Sequence, residues 1–216
     1  HDNNLILIED CAHTMGAQWK KQKSGNFGLA GCFSTQTYKH LNSGEGGFLT
    51  SDDEDFMARA IIYSGSYMFY ERHGAAPKPE AFSDIRLQTP NYSGRMDNLR
   101  AAILRPQLTN LEKNINRWNE RYQLVESELK GAKGIEVPVR FEEERYVGSS
   151  IQFRIPGITE AEAELFIEKN KQLGVELKWF GNDNPSGFTS NHKSWKYVSQ
   201  QQLNQSDEIL SNLFDL

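Results

Sequence analysis

The chain has 216 residues, of which 38% are hydrophobic and 25% charged, and its formal net charge is −5. This composition is typical of a soluble globular protein, and the negative balance gives no electrostatic reason to expect nucleic acid or an anionic membrane surface as a partner. No apolar run approaches the length that spans a bilayer. The two cysteines, Cys11 and Cys32, lie in apolar segments, so we expect a reducing, cytoplasmic compartment rather than a disulfide framework.

Both ends of the chain fall inside predicted secondary structure. The sequence begins at His1, reaches the apolar run LILIEDCAH almost at once, and closes on SDEILSNLFDL, which has the spacing of an amphipathic helix. A protein seldom begins in a core strand and stops just after the apolar face of a helix. We therefore expect the chain to be a fragment of a longer protein, truncated on its N-terminal side.

Strands and helices alternate in the first half of the sequence. Residues 5–8 form a continuous apolar run, typical of a strand covered on both faces, and LAGCFST and GGFLTS predict two further strands. Helical character appears over residues 13–19 and over DDEDFMARAIIYS, where acidic residues occupy the first turn. Residues 65–95 lack periodicity and predict a long loop. The alternation predicts an α/β layer.

The pattern becomes helical at Met96. Apolar residues then recur at three- to five-residue spacing as far as Trp118, which predicts a long helix. Pro106 lies inside this run and should kink the helix or divide it in two, because proline lacks a backbone N–H. Gly131 should end it.

The last third of the sequence predicts a second, smaller domain. IEVPV, SSIQFRIPG and VELKWF have strand character, and TEAEAELFIEKNKQLG has that of a helix. Thr159 and Glu162 have the spacing of a capping box at the start of this helix. We place residues 1–110 in a larger α/β domain and residues 111–216 in a smaller α+β domain that is reached through the long helix.

Four reactive side chains follow the predicted strands of the first half. Asp10 closes the first strand and His13 comes soon after it, while Ser34 closes the second strand and precedes Lys39. Ligands of parallel sheets bind at the carboxyl ends of the strands, so a carboxylate, an imidazole, a hydroxyl and an amine should meet there. Each residue alone also fits an ordinary role as a helix cap, a half-buried histidine, a turn residue or a surface charge. Their joint placement favours a site.

Other kinds of site fit these residues less well. A hydrolase would use Asp10, His13 and Ser34, but Ser34 lies in CFSTQ rather than in the G-x-S-x-G turn that exposes a nucleophilic serine. The histidines show no metal-ligand spacing and the cysteines are too far apart for a zinc site, so we predict no metal. GEGG lacks the lysine spacing of a phosphate-binding P-loop.

Three segments resemble a known family. LIEDCAHTMGA, CFSTQTYKHLNSGEGGFLTSDD and RMDNLRAAILRPQL are similar, in order and spacing, to the DegT/StrS aminotransferases, the sugar-aminotransferase branch of the fold-type-I enzymes that use pyridoxal phosphate (PLP). The likeness covers most of residues 1–130 and continues through HKSWKYV and QSDEILSNLF. It implies the C-terminal part of an α/β fold-type-I transferase, with part of a mainly parallel sheet and its helices followed by a smaller α+β domain.

The resemblance also implies a role for each reactive residue. Lys39 matches the catalytic lysine that forms a Schiff base with PLP and carries protons during the reaction. Asp10 matches the carboxylate that pairs with the pyridine nitrogen of the cofactor. His13 matches a residue that lies beside the ring near its phenolic oxygen. Ser34 matches a hydroxyl that binds the cofactor phosphate, and the glycines after Lys39 let the backbone turn tightly.

The family further implies a reaction and partners. We expect an amino group to move from glutamate or glutamine to a keto-sugar, with a nucleotide-linked sugar as the expected acceptor. Family members are homodimers with active sites at the interface, and we expect residues 65–73 and the helix from Met96 to be interface pieces. The alternative is a catalytically silent fragment or a regulatory homologue that dimerises without transamination, although such homologues typically lack the lysine that stands here at position 39.

Two features of the resemblance limit the predicted site. Residues 91–95 correspond to a segment that a neighbouring subunit offers toward the phosphate, but Ser93 stands where relatives often carry asparagine, so this segment is left outside the site. The family also builds most of its phosphate cradle from an N-terminal part that does not precede His1 in this sequence. We therefore expect the parent protein to be the enzyme.

Overall fold

The computed structural model describes residues 5–66, 68, 70–184 and 191–216. The chain divides into two compact units, His1–Asn116 with Glu142–Val147, and Arg117–Phe141 with Gly148–Leu216. Small sheets and helices build both units, so the architecture is mixed α/β. Buried apolar clusters lie within each unit.

Short strands form the sheets of the first unit. They are β1 (Ile8–Asp10), β2 (Gln18–Trp19), β3 (Gln22–Lys23), β4 (Ala30–Ser34), β5 (Gly47–Thr50) and β6 (Glu144–Arg145). β4 is the centre of the main sheet, with β1 parallel on one side and β5 antiparallel on the other. Asp10 lies opposite Cys32 in the parallel pair, and Ser34 lies opposite Gly47 in the antiparallel pair. The predicted strands LAGCFST and GGFLTS are confirmed.

The prediction of a buried strand at residues 5–8 is wrong. The strand begins at Ile8 instead, and the side chains of residues 5–8 are between 52% and 82% exposed. Among the described strands β1 pairs with β4 alone. An apolar run shows that a segment is hydrophobic. Whether the segment is buried depends on the elements that pack against it, which the sequence pattern does not identify.

The helical character predicted for residues 13–19 is also wrong. The chain turns there and enters the hairpin of β2 and β3, and β6 pairs with β2 on its other side. Gly16 has a φ of +85°, and a Cβ built on it would lie 2.4 Å from Cδ1 of Ile115. A close-packed glycine in the left-handed region interrupts helical geometry. The two hairpin residues, Lys20 and Lys21, also have positive φ, which matches the twist of a two-residue hairpin turn.

Helix α1 (Glu54–Ser64) confirms the helix predicted from DDEDFMARAIIYS. Asp53 caps it by accepting a hydrogen bond from the backbone N–H of Phe56 at 2.8 Å, and acidic side chains occupy its first turn. Gly65 ends the helix with a φ of 116°. The acidic first turn was predicted from the sequence, whereas the two capping residues are a finding of the structure.

Residues 65–95, predicted as a long loop, contain short helical segments. These are the 3-10 turns Tyr70–Arg72 and Pro79–Phe82 and helix α2 (Ile85–Gln88). They share a buried cluster with α1, which consists of Ala58, Ile61, Ile62, Tyr70, Phe82 and Ile85. Each of these short segments buries only one or two apolar residues, so the sequence of residues 65–95 shows no repeating hydrophobic pattern.

Two helices replace the single helical run that begins near Met96. Helix α3 (Asn98–Thr109) is followed by α4 (Leu111–Gly131), so the predicted division and the predicted end at Gly131 are confirmed. Pro106 lies inside α3, however, and the break falls at Asn110. The backbone N–H and the side-chain Nδ2 of Asn110 both donate to the Pro106 carbonyl, which closes the last turn of α3.

The second unit contains a small antiparallel sheet. Its elements are β7 (Gln152–Arg154), helix α5 (Glu160–Gln172), β8 (Lys178–Trp179), helix α6 (Asn204–Ser211) and β9 (Leu213–Asp215). The strand order is β7-β9-β8. Helix α5 and its capping box of Thr159 and Glu162 are confirmed. The predicted strand IEVPV is reduced to a single bridge between Glu136 and Arg154.

The end of the chain differs from its prediction. SDEILSNLFDL was expected to be one amphipathic helix, but α6 stops at Ser211 and β9 follows as the central strand of the sheet. Phe214 is fully buried and contacts Phe153 in a stacked arrangement. Burial of Phe214 between two neighbouring strands overrides the helical spacing of the segment.

Candidate active site

The sheet of the first unit brings two of the predicted site residues to one edge. β1 and β4 run parallel, so Asp10 and Ser34 both lie where their strands end. The Asp10 carboxylate accepts a hydrogen bond from the N–H of Ala12 at 3.0 Å, and the Ser34 hydroxyl accepts one from the N–H of Gln36 at 3.3 Å. Both side chains therefore shape the turns that leave the sheet and keep further acceptor capacity.

Lys39 lies on a loop, residues 35–46, that joins β4 to β5 and that we call the lysine loop. The N–H of fully buried Thr35 donates to the Gly46 carbonyl, and the N–H of Ser43 donates to the Thr35 carbonyl, both at 2.9 Å. The N–H of Lys39 donates to the Gln36 carbonyl at 2.9 Å. The loop is thus closed on itself at its base and turned at Lys39.

Gly46 is required at the base of the lysine loop. Its φ is +131°, and a Cβ built on it would lie 2.9 Å from Oγ1 of Thr35 and 3.1 Å from Cε of Met96. Both the backbone conformation and the space exclude a larger residue. The glycine-rich turn predicted after Lys39 therefore has a structural reason.

Lys39 and His13 are in direct contact. Nζ of Lys39 lies 2.7 Å from Nε2 of His13. A protonated lysine donates and cannot accept, so His13 accepts through Nε2 and carries its own hydrogen on Nδ1 when Lys39 is charged. When the amine is neutral, the same distance allows the imidazole to donate. The two side chains can therefore share one proton.

His40 is a neighbour that the sequence pattern did not single out. The residue is half-buried, and both of its ring nitrogens are enclosed by protein. Burial is the first cause and positive charge on the neighbouring His13–Lys39 pair is the second, and together they lower the pKa of His40 to about 4. His40 is therefore neutral near pH 7 and adds no charge beside Lys39. Its adjacency to Lys39 was the one signal available in the sequence.

Gln107 on α3 is the second residue that sequence reasoning missed. Its side-chain amide forms hydrogen bonds with both the N–H and the carbonyl of Asn42, at 3.0 and 2.7 Å. Leu41, the preceding residue, is buried in an apolar cluster with Cys11, Met15, Phe33 and Leu104. No local motif reveals this contact, because it joins residues that are distant in the sequence.

Glu9, next to Asp10, anchors a neighbouring loop. Its carboxylate accepts hydrogen bonds from the N–H groups of Gly25, Phe27 and Gly28, at 2.8, 2.6 and 3.0 Å. Burial raises the pKa of this carboxyl, but the three backbone donors outweigh burial and the net pKa is lowered. The charged carboxylate thus fixes the chain around the end of β1.

Residues 91–95 pack against the end of α1. Nη1 of Arg95 donates to the Gly65 carbonyl at 3.0 Å, and the N–H of Tyr92 donates to the Tyr63 carbonyl at 2.9 Å. The rings of Tyr63 and Tyr92 are stacked with their centroids 5.6 Å apart. In the segment predicted as an interface piece, residues 65–73, Tyr67 and Phe69 lie outside the described residues.

Within the residues that the structure describes, no group of three or more His, Cys, Asp or Glu side chains is arranged to hold a metal ion. No helix in the same part of the chain combines the length and apolar character of a membrane span.

Sequence comparison finds aminotransferases. The model of the DegT/DnrJ/EryC1/StrS aminotransferase family matches residues 1–216. A relative from Micromonospora echinospora, L-glutamine:2-deoxy-scyllo-inosose aminotransferase, is 33% identical over 141 residues, which cover 63% of this chain and 32% of the relative.

Solved structures show the same fold. The aminotransferase TlmJ from Streptoalloteichus hindustanus matches with a TM-score of 0.77 and 17% identity, over 100% of this chain and 53% of its own. GDP-4-keto-6-deoxy-D-mannose-3-dehydratase from E. coli, solved with bound hydrated PLP, matches with a TM-score of 0.75 and 20% identity, over 99% of this chain and 56% of its own. The predicted fold class is confirmed, and the chain spans about half the length of these proteins.

Proposed function

Because the chain belongs to the DegT/DnrJ/EryC1/StrS aminotransferase family, we propose that the protein carrying it is a PLP-dependent aminotransferase that acts through Lys39. The contact between Nζ of Lys39 and Nε2 of His13 at 2.7 Å is the observation that carries this proposal. A lysine held against an imidazole has a partner for proton exchange, which a solvated surface lysine lacks. Residues 1–110 would belong to the PLP-binding domain, and residues 111–216 to the small domain.

The donor set of the first unit fits PLP. An amine, a carboxylate, an imidazole and a hydroxyl follow the ends of two parallel strands, and these groups match the aldehyde, the ring nitrogen, the phenolic oxygen and the phosphate of the cofactor. Lys39 would bond covalently to the aldehyde. Asp10 would pair with the ring nitrogen, His13 would lie near the phenolic oxygen, and Ser34 would donate to the phosphate.

When bound, PLP supplies an electron-withdrawing ring that stabilises negative charge on the carbon that loses or gains a proton. The chain's residues supply the rest. Lys39 moves that proton at Nζ, and His13 holds the amine in place and takes up or returns a proton at Nε2. The Asp10 carboxylate would hold a proton on the ring nitrogen. His40, which is neutral near pH 7, adds no positive charge beside the Lys39–His13 pair.

We propose glutamate or glutamine as the amino donor and a keto-sugar, nucleotide-linked, as the acceptor. The names of two relatives support these classes, since one is an L-glutamine:2-deoxy-scyllo-inosose aminotransferase and the other, 32% identical over 117 residues, is a GDP-perosamine synthase. We also propose a cytoplasmic homodimer. The exposed apolar side chains of Leu99, Ile103 and Leu108 on α3 support a subunit contact there.

The full-length protein tests the proposal directly. Purified protein should transfer the amino group of glutamate or glutamine to a keto-sugar nucleotide, and Lys39→Ala should lower the rate by at least about a thousandfold, since the covalent anchor is lost. Lys23→Ala, on β3, is the matched control and should retain activity. A full-length protein that folds and dimerises but transfers nothing would support the silent or regulatory alternative instead.

A further inference from the structure

Gln107 connects helix α3 to the backbone just beyond Lys39. The N–H of Asn42 donates to Oε1 of Gln107 at 3.0 Å, and Nε2 of Gln107 donates to the carbonyl of Asn42 at 2.7 Å. The side-chain amide thus pairs with both main-chain groups of one residue, as a neighbouring strand would. Nε2 also donates to the Ile103 carbonyl at 3.0 Å within α3, which fixes the orientation of the side chain.

The same face of α3 also holds the residue before Asn42. Leu104 precedes Gln107 by three positions, so both side chains project from one side of the helix. Leu41 is 1% exposed and packs in the cluster that contains Leu104. Two consecutive residues of the lysine loop are therefore fixed to α3, one by apolar packing and one by paired hydrogen bonds.

A displacement at Asn42 reaches Lys39 because the intervening chain is short. Three residues span at most about 10 Å when extended, and the N–H of Lys39 is already bonded to Gln36 at the other side. Ser43, the residue after Asn42, is bonded to Thr35 at the base of the loop. The Lys39 backbone is thus held between the loop base and α3.

We propose that Gln107 is a positioning residue that sets the reach of the Lys39 amine through Asn42. The role assigned to Lys39 rests on the proposed function. The attachment of Leu41 and Asn42 to helix α3, which we call the clamp, is a property of the chain without cofactor. The hydrogen bonds of Gln107 go to the backbone of Asn42 and of Ile103, so it acts on Lys39 through the backbone of the lysine loop. Errors of about 1 Å in the position of a reacting group can lower a rate by about a hundredfold.

Amide hydrogen exchange of the cofactor-free, full-length protein tests the clamp. In Gln107→Ala the N–H of Asn42 loses its acceptor, so its exchange should accelerate at least about tenfold, with smaller rises at residues 39–43 and no change in β7 and β9. Gln107→Glu keeps an acceptor for that N–H, so Asn42 should stay within about threefold of the wild type. Arg105→Ala, an exposed side chain on the same helix, is the control.

Kinetics of the PLP-loaded protein test the positioning role. Gln107→Ala should lower kcat about ten- to a hundredfold and leave the KM of the amino donor within about twofold, because binding is kept and alignment is lost. Gln107→Glu should fall between Gln107→Ala and the wild type, since its carboxylate faces the Asn42 carbonyl without a donor.

Three results would overturn the inference. They are unchanged exchange at Asn42 in Gln107→Ala, a rise spread evenly over residues 5–116, and unchanged kcat despite faster exchange at Asn42. The exchange experiment contains no PLP, so its outcome is separate from that of the proposed function. A wild-type protein without transaminase activity would refute the proposed function. The clamp would still be tested by hydrogen exchange at Asn42, which does not depend on activity.

Discussion

The lysine loop and the C-terminal sheet are held together in different ways. Residues 35–46 rely on hydrogen bonds between backbone and polar side chains, with Leu41 as the buried apolar anchor. The sheet of β7, β9 and β8 relies on a cluster of aromatic and aliphatic side chains around Phe153, Trp179 and Phe214. Directional bonds fix the position of an amine, whereas apolar burial mainly supplies stability.

The largest stability effect is expected at the centre of the C-terminal sheet. Phe214→Ala removes a fully buried ring that contacts Phe153 and Phe166, so the free energy of unfolding should fall by about 4 kcal/mol. Denaturant unfolding measures this change. Cofactor binding at Lys39, per folded molecule, should not change if the two regions have separate roles.

Phe141→Ala is the matched control for that substitution. Its ring is 64% exposed, so the unfolding free energy should change by less than about 1 kcal/mol. Equal losses of unfolding free energy in Phe214→Ala and Phe141→Ala would mean that burial in the sheet does not stabilise the second unit. The contrast between the lysine loop and the C-terminal sheet would then be wrong.

His40 should make the lysine loop sensitive to mild acid. Its pKa is about 4 in the folded chain and near 6.5 when unfolded, so the unfolded state binds the proton first as the pH falls. Above pH 6.5 His40 is neutral in both states and does not lower the free energy of unfolding. As the pH falls from 6.5 toward 4, the unfolded state is protonated first, and the free energy of unfolding decreases. From pH 7 to pH 5 the loss should be roughly 1.5 kcal/mol, after allowance for partial exposure to solvent.

Denaturant unfolding at pH 7 and pH 5 measures that loss. His40→Asn should lose roughly 1.5 kcal/mol less on acidification than the wild type. His73→Asn, at an exposed histidine outside the lysine loop, should behave like the wild type. If His40→Asn and the wild type respond equally to acid, the buried neutral imidazole has been misassigned.

The smallest effect concerns the helix caps. Asp53→Ala removes the acceptor for the Phe56 N–H and should lower the unfolding free energy by about 1 kcal/mol, while Asp53→Asn should retain most of it. Thr159→Ala should cost a similar amount in the second unit. Thermal unfolding measures all three variants, and a cap effect confined to one unit would show that the helices contribute unequally.

Local chemistry made part of this molecule predictable. The acidic first turn of α1 and the capping box of Thr159 and Glu162 could be predicted because both depend on residues that are neighbours in the sequence. Strand-end placement indicated Asp10 and Ser34, and the position of Lys39 before a glycine turn indicated the lysine loop. The wrong predictions for residues 13–19 and for the segment of β9 share one cause, since the tertiary packing of Gly16 and of Phe214 overrides the helical spacing.

Tertiary contacts account for what the sequence pattern could not reveal. Gln107 and Asn42 are distant in the sequence, and the 2.7 Å contact between His13 and Lys39 depends on how two turns leave the sheet. The neutral state of His40 depends on burial, which no spacing encodes. These three features depend on the folded structure, so the glycine-rich sequence of the lysine loop does not reveal them.

The role proposed for Lys39 is that of the covalent anchor of PLP. Incubation of the full-length protein with PLP, reduction with borohydride and peptide mapping tests it most directly. We expect the reduced cofactor on the peptide that contains Lys39, and we expect Lys39→Ala, folded as the wild type, to carry none. Label on a different lysine, or no label on the folded wild-type protein, would contradict it.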